Sequence, residues 1–143
     1  MDRLFIVKEE NPSKDDELLL TEELKEYGRG EIGGKDPDRI GVFLRTSKEK
    51  TIGGVIGRII LGRLYISHLW VSEELRGQGY GSQLLESIES EAQAHGCSQI
   101  ILDTLNSKSV PFYKKNGYHI LTELPDFIVG FNKYYFRKNL AIA

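Results

Sequence analysis

The sequence has little of several features that mark common classes of protein. Its one cysteine, Cys97, has no partner for an internal disulfide and is typical of a small buried residue beside Gly96. No apolar run approaches the ~20 residues that a membrane-spanning helix needs. The apolar stretch near the N-terminus is too short for a signal peptide. We therefore expect a soluble, cytoplasmic protein that makes no membrane contact.

An excess of charge of one sign is also missing. Nineteen basic and twenty-one acidic residues give a net charge of -2, so no surface for nucleic acid is predicted. Histidine and cysteine do not occur at the spacings of metal ligands, and we expect no metal ion. The Gly-Lys-Ser or Gly-Lys-Thr of a Walker loop is absent too, which excludes that type of nucleotide site.

What is present indicates one globular domain over residues 1–143. The chain has the length of one domain, and 40% of its residues are hydrophobic, which is enough for a core. A short strand is predicted over Leu4–Lys8. Ser13 and Asp16 have the spacing of a capping box, so a helix is expected to begin at Ser13 and to end at Gly28 or Gly30. A glycine-rich loop over 28–38 follows.

The middle of the chain has the pattern of an antiparallel meander. Strands are predicted over Ile40–Thr46, Thr51–Leu61 and Leu64–Val71, with Gly62 and Arg63 as a two-residue turn before the third. The second strand contains three glycines, which indicate a bulge or a close backbone approach. They are Gly53, Gly54 and Gly57.

The pattern then changes to helix, strand and helix. A helix is predicted whose apolar face consists of Leu84, Leu85, Ile88 and Ala92, and Gly96 can end it. An apolar strand over Gln99–Leu105 follows. Strand, helix and strand in this order predict a parallel βαβ unit. The remaining predicted elements are a helix over Ser109–Lys115 and strands over Tyr118–Thr122 and Phe131–Lys138, separated by Leu124, Pro125 and Asp126. We predict an α/β (α+β) fold: a mixed, mostly antiparallel sheet with helices on its faces.

A glycine-rich turn in the βαβ unit has the chemistry of an anion site. It lies between a strand and a helix, where free amides and the helix dipole favour a phosphate. Glycine allows close backbone approach, and arginine adds a cation. The turn consists of Arg76, Gly77, Gln78, Gly79, Tyr80, Gly81 and Ser82.

Three interpretations of this turn compete. It could be a tight turn with an exposed arginine. It could belong to a dinucleotide-binding fold, with Asp103 as the acid that binds the ribose, although Ser82 stands where a third glycine is expected. It could also bind the pyrophosphate of coenzyme A. The sequence around the turn bears on the choice.

That surrounding sequence resembles the acetyl-CoA signature of the GNAT superfamily of N-acetyltransferases. Leu69, Trp70 and Val71 precede the turn, and the resemblance continues downstream, from about Ile52 to Leu140. The downstream residues that carry it are Asn106, Ser109, Phe112, Tyr113, Gly117 and Tyr118. The chain is most similar to a small, bacterial-type, single-domain subgroup with a segment like Leu124, Pro125, Asp126 and Phe127. It departs from that subgroup at Phe131, which replaces a histidine after Gly130.

The resemblance implies a site and a reaction. Acetyl-CoA would bind to Leu69, Trp70 and Val71 by strand-like pairing in a gap between the parallel strands, and to the turn from Arg76 to Ser82. Asn106 would bond to the cofactor arm, unless it is only a turn residue. Two residues would be catalytic: the Leu69 amide would meet the developing oxyanion, and Tyr113 would protonate the departing thiolate. The acetyl group would pass to a primary amine of a small molecule or protein by direct attack in a ternary complex.

The general base and the partners are less defined. Many relatives place a glutamate on the strand before the turn, and this chain has none there. The candidates for the general base are therefore His68, Asp103 acting through a relayed water, and an acid of the first helix. His68 alternates with Ile66 and Trp70, which predicts a partly buried face and favours a structural histidine over a base. Aromatic residues cluster in the late strands, where they could form a homodimer interface or belong to the core; they are Phe131, Tyr134, Tyr135 and Phe136. The missing glutamate also leaves a second function open, a non-catalytic module that binds acyl-CoA.

Overall fold

The computed structural model describes residues 2–32 and 38–141. The chain divides into two compact units, Met1–Asp36 and Pro37–Ala143, and each is described by itself. The first unit contains one helix, α1 (Lys14–Ile32). Ser13 begins it as predicted, because its hydroxyl accepts from the backbone N–H of Asp16 at 3.1 Å and donates to the Asp16 carboxylate at 2.9 Å.

Two predictions in the first unit are wrong. Helix α1 continues through Gly28 and Gly30 instead of ending there. Leu4–Lys8 forms no strand, since a strand needs a partner for its backbone groups and no strand in 2–32 or 38–141 pairs with this segment. Residues 33–37 of the predicted glycine-rich loop lie outside the described residues. That the chain forms one domain over 1–143 stays a prediction.

The second unit is built on one six-stranded sheet in the order β1-β2-β3-β4-β6-β5. Its strands are β1 (Asp38–Arg45), β2 (Thr51–Ile60), β3 (Arg63–Val71), β4 (Gln99–Thr104), β5 (His119–Ile128) and β6 (Phe131–Asn139). Neighbouring strands are antiparallel, except that β3 and β4 are parallel. Helix α2 (Tyr80–Ala94) joins this parallel pair, and α3 (Val110–Lys115) follows β4. The predicted mixed, mostly antiparallel sheet with a βαβ unit is confirmed.

One hydrophobic core lies between the sheet and helices α2 and α3. The predicted apolar face of α2 is buried, with Leu85 and Ile88 fully inaccessible to solvent. These side chains cluster with Leu64, Ile100 and Phe136 of the sheet. Helix α2 ends as predicted, at a glycine in the left-handed conformation that follows its last turn. The core therefore fixes the beginning of α2 beside the end of β3.

A bulge in β3 separates two parts of this strand. Ile56 of β2 pairs with His68, and Gly57 pairs with Ile66, so Ser67 is the extra residue of the bulge, and its hydroxyl donates to the Ile56 carbonyl at 3.2 Å. The glycines of β2 had predicted a bulge or a close approach, and both occur. A Cβ at Gly57 would lie 2.7 Å from the Leu64 side chain. The bulge shifts the alternation of side chains by one residue.

Two predicted turns lie elsewhere. The β2–β3 turn is formed by Leu61 and Gly62, both at positive φ, one residue before the predicted pair. Pro125 does not separate two strands, because β5 continues to Ile128. Proline is tolerated there since β5 is an edge strand, and its ladder is irregular between Leu124 and Ile128.

A buried carboxylate joins α2 to the end of the chain. Glu89 is 9% exposed and accepts from the Tyr118 hydroxyl at 2.9 Å and from the Lys138 ammonium at 2.8 Å. The same ammonium donates to the backbone carbonyl of Asn116 at 2.9 Å. Burial and the Glu89 charge raise the pKa of Tyr118 far above its ordinary range, so the phenol stays a donor. The Glu89 carboxylate thus connects α2 to Tyr118 and to β6 through two hydrogen bonds.

Replacing this lysine should destabilise the fold. Lys138→Met leaves the Glu89 carboxylate without its cation, and we expect the free energy of unfolding to fall by about 1–3 kcal/mol. Lys114→Met, at an exposed position of α3, is the control and should change it by less than about 0.5 kcal/mol. Urea denaturation measures both. Equal midpoints for the two variants would contradict a stabilising role for the ion pair.

Two further observations concern partners. None of the helices within 2–32 and 38–141 has the length and apolar composition to span a bilayer. Of the late aromatic residues considered for a homodimer, Phe136 is fully buried and Phe131 is 58% exposed. Dimerisation stays a prediction.

Candidate functional site

The two parallel strands separate near the middle of the sheet. Pairing of β3 with β4 is limited to Arg63–Tyr65 and Gln99–Ile101. The next residues of β3 include the bulge, and the strands do not pair again. Leu69 and Val71 therefore border an opening between β3 and β4, as the family resemblance implied. Backbone groups that face such an opening are available to a ligand that lies along the strand.

The glycine turn follows this opening directly. Gly77 and Gly79 have φ values of 78° and 90°, which few other residues adopt. The Arg76 side chain donates from Nε to the Val71 carbonyl at 3.0 Å, so the arginine folds back along the end of β3. Alternate residues of a strand direct their backbone N–H and C=O groups to the same side. The backbone groups of Leu69 therefore point to the same side of β3 as the Val71 carbonyl. The turn and the strand end thus form one continuous backbone surface.

The beginning of α2 carries unpaired donors. Its first helical hydrogen bond runs from the Gln83 amide to the Gly79 carbonyl at 3.1 Å, which leaves the amides of Tyr80, Gly81 and Ser82 without helical acceptors. Gly79, at the N-cap, has no side chain to bond to them. The first turn of α2 also has no acidic residue. This end of the helix is accordingly suited to an anion.

A cleft of about 670 Å³ lies at this place. It falls within the usual size range of small-molecule sites. Its lining residues are Leu69, Trp70, Val71, Leu75, Arg76, Gly77, Gly79, Tyr80, Gly81, Ser82, Asn106, Lys108, Ser109, Phe112, Tyr113 and Lys115. Three of these described residues are cations, and none is an acid. The cleft is therefore suited to a ligand with several negative charges.

The structure brings together all the residues predicted to bind the cofactor except Gln78. The Gln78 side chain donates to the Glu74 carbonyl at 3.3 Å and does not line the cleft. Ser109 and Phe112, which carried the family resemblance without a predicted role, also line the cleft, and so do Leu75, Lys108 and Lys115, which the sequence did not indicate. The two lysines are seven residues apart, which is about two helical turns. This spacing could have indicated that they lie on the same side of a helix.

Gly81 has a packing role that the sequence did not indicate. A Cβ at this position would lie 3.1 and 3.2 Å from two ring atoms of Phe112. Glycine at this position thus allows α2 to pack against α3. Gly79 differs, because a Cβ there would meet no described atom within 4 Å. A side chain at Gly79 would extend into open space at the cleft.

Tyr113 lies on α3 at the inner wall of the cleft. Its ring is 9% exposed and packs against Phe112, Tyr118 and Phe136 with centroids 5.2, 5.9 and 5.3 Å away. Within residues 2–32 and 38–141 its hydroxyl bonds to no side chain or backbone group, yet the oxygen is not sealed from solvent. Burial and the charge of Asp103 raise the pKa of Tyr113. The phenol is protonated at neutral pH and free to donate.

Asn106 has a local role in addition to its place in the cleft. Its side-chain oxygen accepts from the backbone N–H of Lys108 at 3.0 Å, and its own backbone N–H donates to the Thr104 hydroxyl at 3.1 Å. These bonds shape the turn after β4, and the predicted bond of Asn106 to the cofactor arm stays a prediction. The side-chain NH2 stays available to a ligand in the cleft.

The candidate bases differ in position. His68 is exposed, not partly buried as predicted, because the bulge at Ser67 removes it from the alternation that includes Ile66. Its Nδ1 is 2.7 Å from the Ser67 hydroxyl. Asp103, at the end of β4, has a carboxylate oxygen 3.6 Å from the Lys133 ammonium. Within 2–32 and 38–141 no three His, Cys, Asp or Glu side chains converge as metal ligands would.

Comparison with known proteins gives a consistent result. Residues 4–118 match the model of the acetyltransferase (GNAT) family. The chain is 30% identical over 102 residues to acetyltransferase Atu2258 of Agrobacterium fabrum, covering 71% of this chain and 74% of that one. It is 30% identical to an acetyltransferase of solved structure from Bacillus cereus, with a TM-score of 0.82 over 94% and 98% of the two chains. A Bacillus anthracis protein solved in complex with acetyl coenzyme A shares the fold at 22% identity, with a TM-score of 0.64 over 75% and 65%.

Proposed function

The chain belongs to the acetyltransferase (GNAT) family, and we propose that it transfers the acetyl group of acetyl-CoA to a primary amine. The observation that carries this proposal is the acid-free cleft with its three cations at the beginning of α2. Coenzyme A has a pyrophosphate and a further phosphate, and such a cleft complements their charge. We propose further that the whole chain acts as one domain, since the family match over residues 4–118 includes parts of both units.

The pantetheine arm would lie in the opening between β3 and β4. We propose that it pairs with Leu69 and Val71, whose backbone groups border that opening. The free amides from Tyr80 to Ser82, with Arg76, would hold the pyrophosphate. The Leu69 amide would face the thioester oxygen when negative charge develops on it, and Tyr113 would donate a proton to the leaving sulfur.

Binding is tested by thermal unfolding with acetyl-CoA. A ligand present at 100 times its Kd stabilises the folded state by about 2.7 kcal/mol. For a chain of this length the melting temperature should rise by roughly 6–11 °C. NAD at the same concentration is the control and should produce no comparable rise. A shift with NAD instead would favour the dinucleotide interpretation of the turn.

Turnover is tested by release of free thiol from acetyl-CoA in the presence of a panel of primary amines. Acceleration by at least one amine, with the acetylated product detected by mass spectrometry, is the expected result. Stabilisation by acetyl-CoA without turnover on any amine would instead favour the non-catalytic binding module. Neither stabilisation nor turnover in a folded sample would refute the proposed function.

A further inference from the structure

A second group of residues in the Pro37–Ala143 unit surrounds an ammonium group. The Lys133 Nζ lies 3.6 Å from an Asp103 carboxylate oxygen, 4.6 Å from the centre of the Phe127 ring and 5.4 Å from that of Tyr135. The Lys133 side chain is 21% exposed, which is low for a lysine. One carboxylate and two ring faces are the groups by which proteins recognise alkylammonium ions. We name this group, Asp103 with the Phe127 and Tyr135 rings, the ammonium cage.

The cage lies beside the opening between the parallel strands. Asp103 is two residues beyond Ile101, the last residue of β4 that pairs with β3. It alternates with the buried Leu102, so its side chain is on the sheet face opposite the core, and it pairs with Tyr135 on the neighbouring strand. The Asp103 carboxylate is also 48% exposed, so an incoming molecule can reach it.

The charge of Asp103 also acts on the proposed catalytic acid. It is one of the two causes that raise the pKa of Tyr113, after burial. Because Asp103 follows the last paired residue of β4 by two positions, a nitrogen held at its carboxylate would lie beside the opening proposed to hold the thioester.

We propose that the ammonium cage binds the acceptor amine in its cationic form and that Lys133 occupies the cage until the acceptor displaces it. This inference rests on the proposed transfer to an amine and assigns the acceptor to the class of protonated primary alkylamines. The net reaction forms one amide bond, breaks the thioester bond and releases coenzyme A thiol and one proton. Asp103 first binds the ammonium, and its exposed carboxylate lets the proton leave to water before the nitrogen attacks.

The first test measures binding of a simple probe, the n-butylammonium ion, by NMR titration with coenzyme A at saturation. Wild type should bind it better than n-butanol, which has the same chain without charge. Asp103→Asn should weaken binding about 10- to 100-fold, because hydrogen bonds to charged groups are strong. Lys133→Met should tighten it about two- to five-fold, since the competing ion pair is partly exposed. Asp126→Asn and Lys114→Met are matched controls that should bind as wild type does.

Several results would overturn the inference. They are equal binding of butanol and butylammonium, wild-type affinity in Asp103→Asn, or weaker binding in Lys133→Met. Kinetics with acetyl-CoA and an accepted amine separate this inference from the proposed function. Turnover with an unchanged amine KM in Asp103→Asn would refute the cage and leave the function intact. Butylammonium binding that depends on Asp103, in a protein that acetylates no amine, would support the cage and refute the function.

Discussion

Tyr113→Phe is expected to lower turnover by about 10²–10⁴-fold while acetyl-CoA affinity stays nearly unchanged. The substitution keeps the ring that packs against Phe112, Tyr118 and Phe136. It removes a hydroxyl that bonds to no other residue in the described parts of the chain. Stability should therefore change little, and the loss of rate would belong to the missing proton donor. Steady-state kinetics, calorimetric binding and urea denaturation together measure the effect.

Tyr118→Phe is the matched control. Tyr118 is also a buried tyrosine, but its hydroxyl donates to Glu89 and its ring does not line the cleft. This variant should lose about 1 kcal/mol of stability and keep its turnover. If Tyr113→Phe turns over like wild type, Tyr113 has only a packing role and water protonates the thiolate. If it loses acetyl-CoA binding as well, the assignment as general acid fails.

The pH dependence of the rate has a definite sign. Burial and Asp103 raise the pKa of Tyr113, so the phenol keeps its proton from neutral pH to beyond its ordinary range. An alkylamine has a pKa near 10.4 and attacks only after losing a proton. The wild-type rate should accordingly rise with pH through the range in which the acceptor is deprotonated. An early fall on the alkaline side would contradict a protonated Tyr113.

Gly79→Val should weaken acetyl-CoA binding by about 10²-fold or more. Its Cβ would extend into open space at the cleft, where a bound pyrophosphate must approach the backbone. The φ of 90° is also unfavourable for valine, so the turn would change shape and misdirect the amides of α2. Each lost hydrogen bond to a charged group is worth about 1.5–3 kcal/mol. Calorimetric titration with acetyl-CoA measures the loss.

Gly96→Val is the control that separates the effect of backbone strain from the effect of a side chain in the ligand site. Gly96 has a φ of 80° and, like Gly79, open space around a Cβ, but it follows the opposite end of α2. Both variants should lose comparable stability, since both place valine in the left-handed region. Only Gly79→Val should lose acetyl-CoA affinity. Equal affinities in the two folded variants would place the pyrophosphate elsewhere.

Local sequence was sufficient for the parts of the site that lie on consecutive residues. The helix face of Leu84, Leu85 and Ile88 and the glycine turn before it follow from spacing and residue type alone. In the structure this face is buried in the core, and the glycine turn leads directly into the first turn of α2. The order of a strand, a turn and a helix also predicted the parallel pair, because a helical crossover between adjacent strands favours that arrangement.

Features that depend on partners in space could not be predicted in this way. The segment Leu4–Lys8 has a strand-like composition, but whether it pairs depends on residues far away in sequence. Pro125 looked like a strand end, yet an edge strand lacks a second neighbour whose bond the proline would break. Lys108 and Lys115 line the same cleft because a 3-10 helical turn over residues 107–109 leads into α3.

The bulge at Ser67 has a consequence for how this strand can vary during evolution. Before the bulge, the even-numbered residues Leu64 and Ile66 face the core. After it, the odd-numbered residues Leu69 and Val71 face the core, whereas in a regular strand they would face the opposite side of the sheet. Deleting one residue there would turn the ligand-facing end of β3 over, whereas exchanging one side chain for another would not. The length of this strand is therefore under stronger constraint than the identity of any exposed residue on it. Homologues should differ at His68 more readily than they gain or lose a residue beside it.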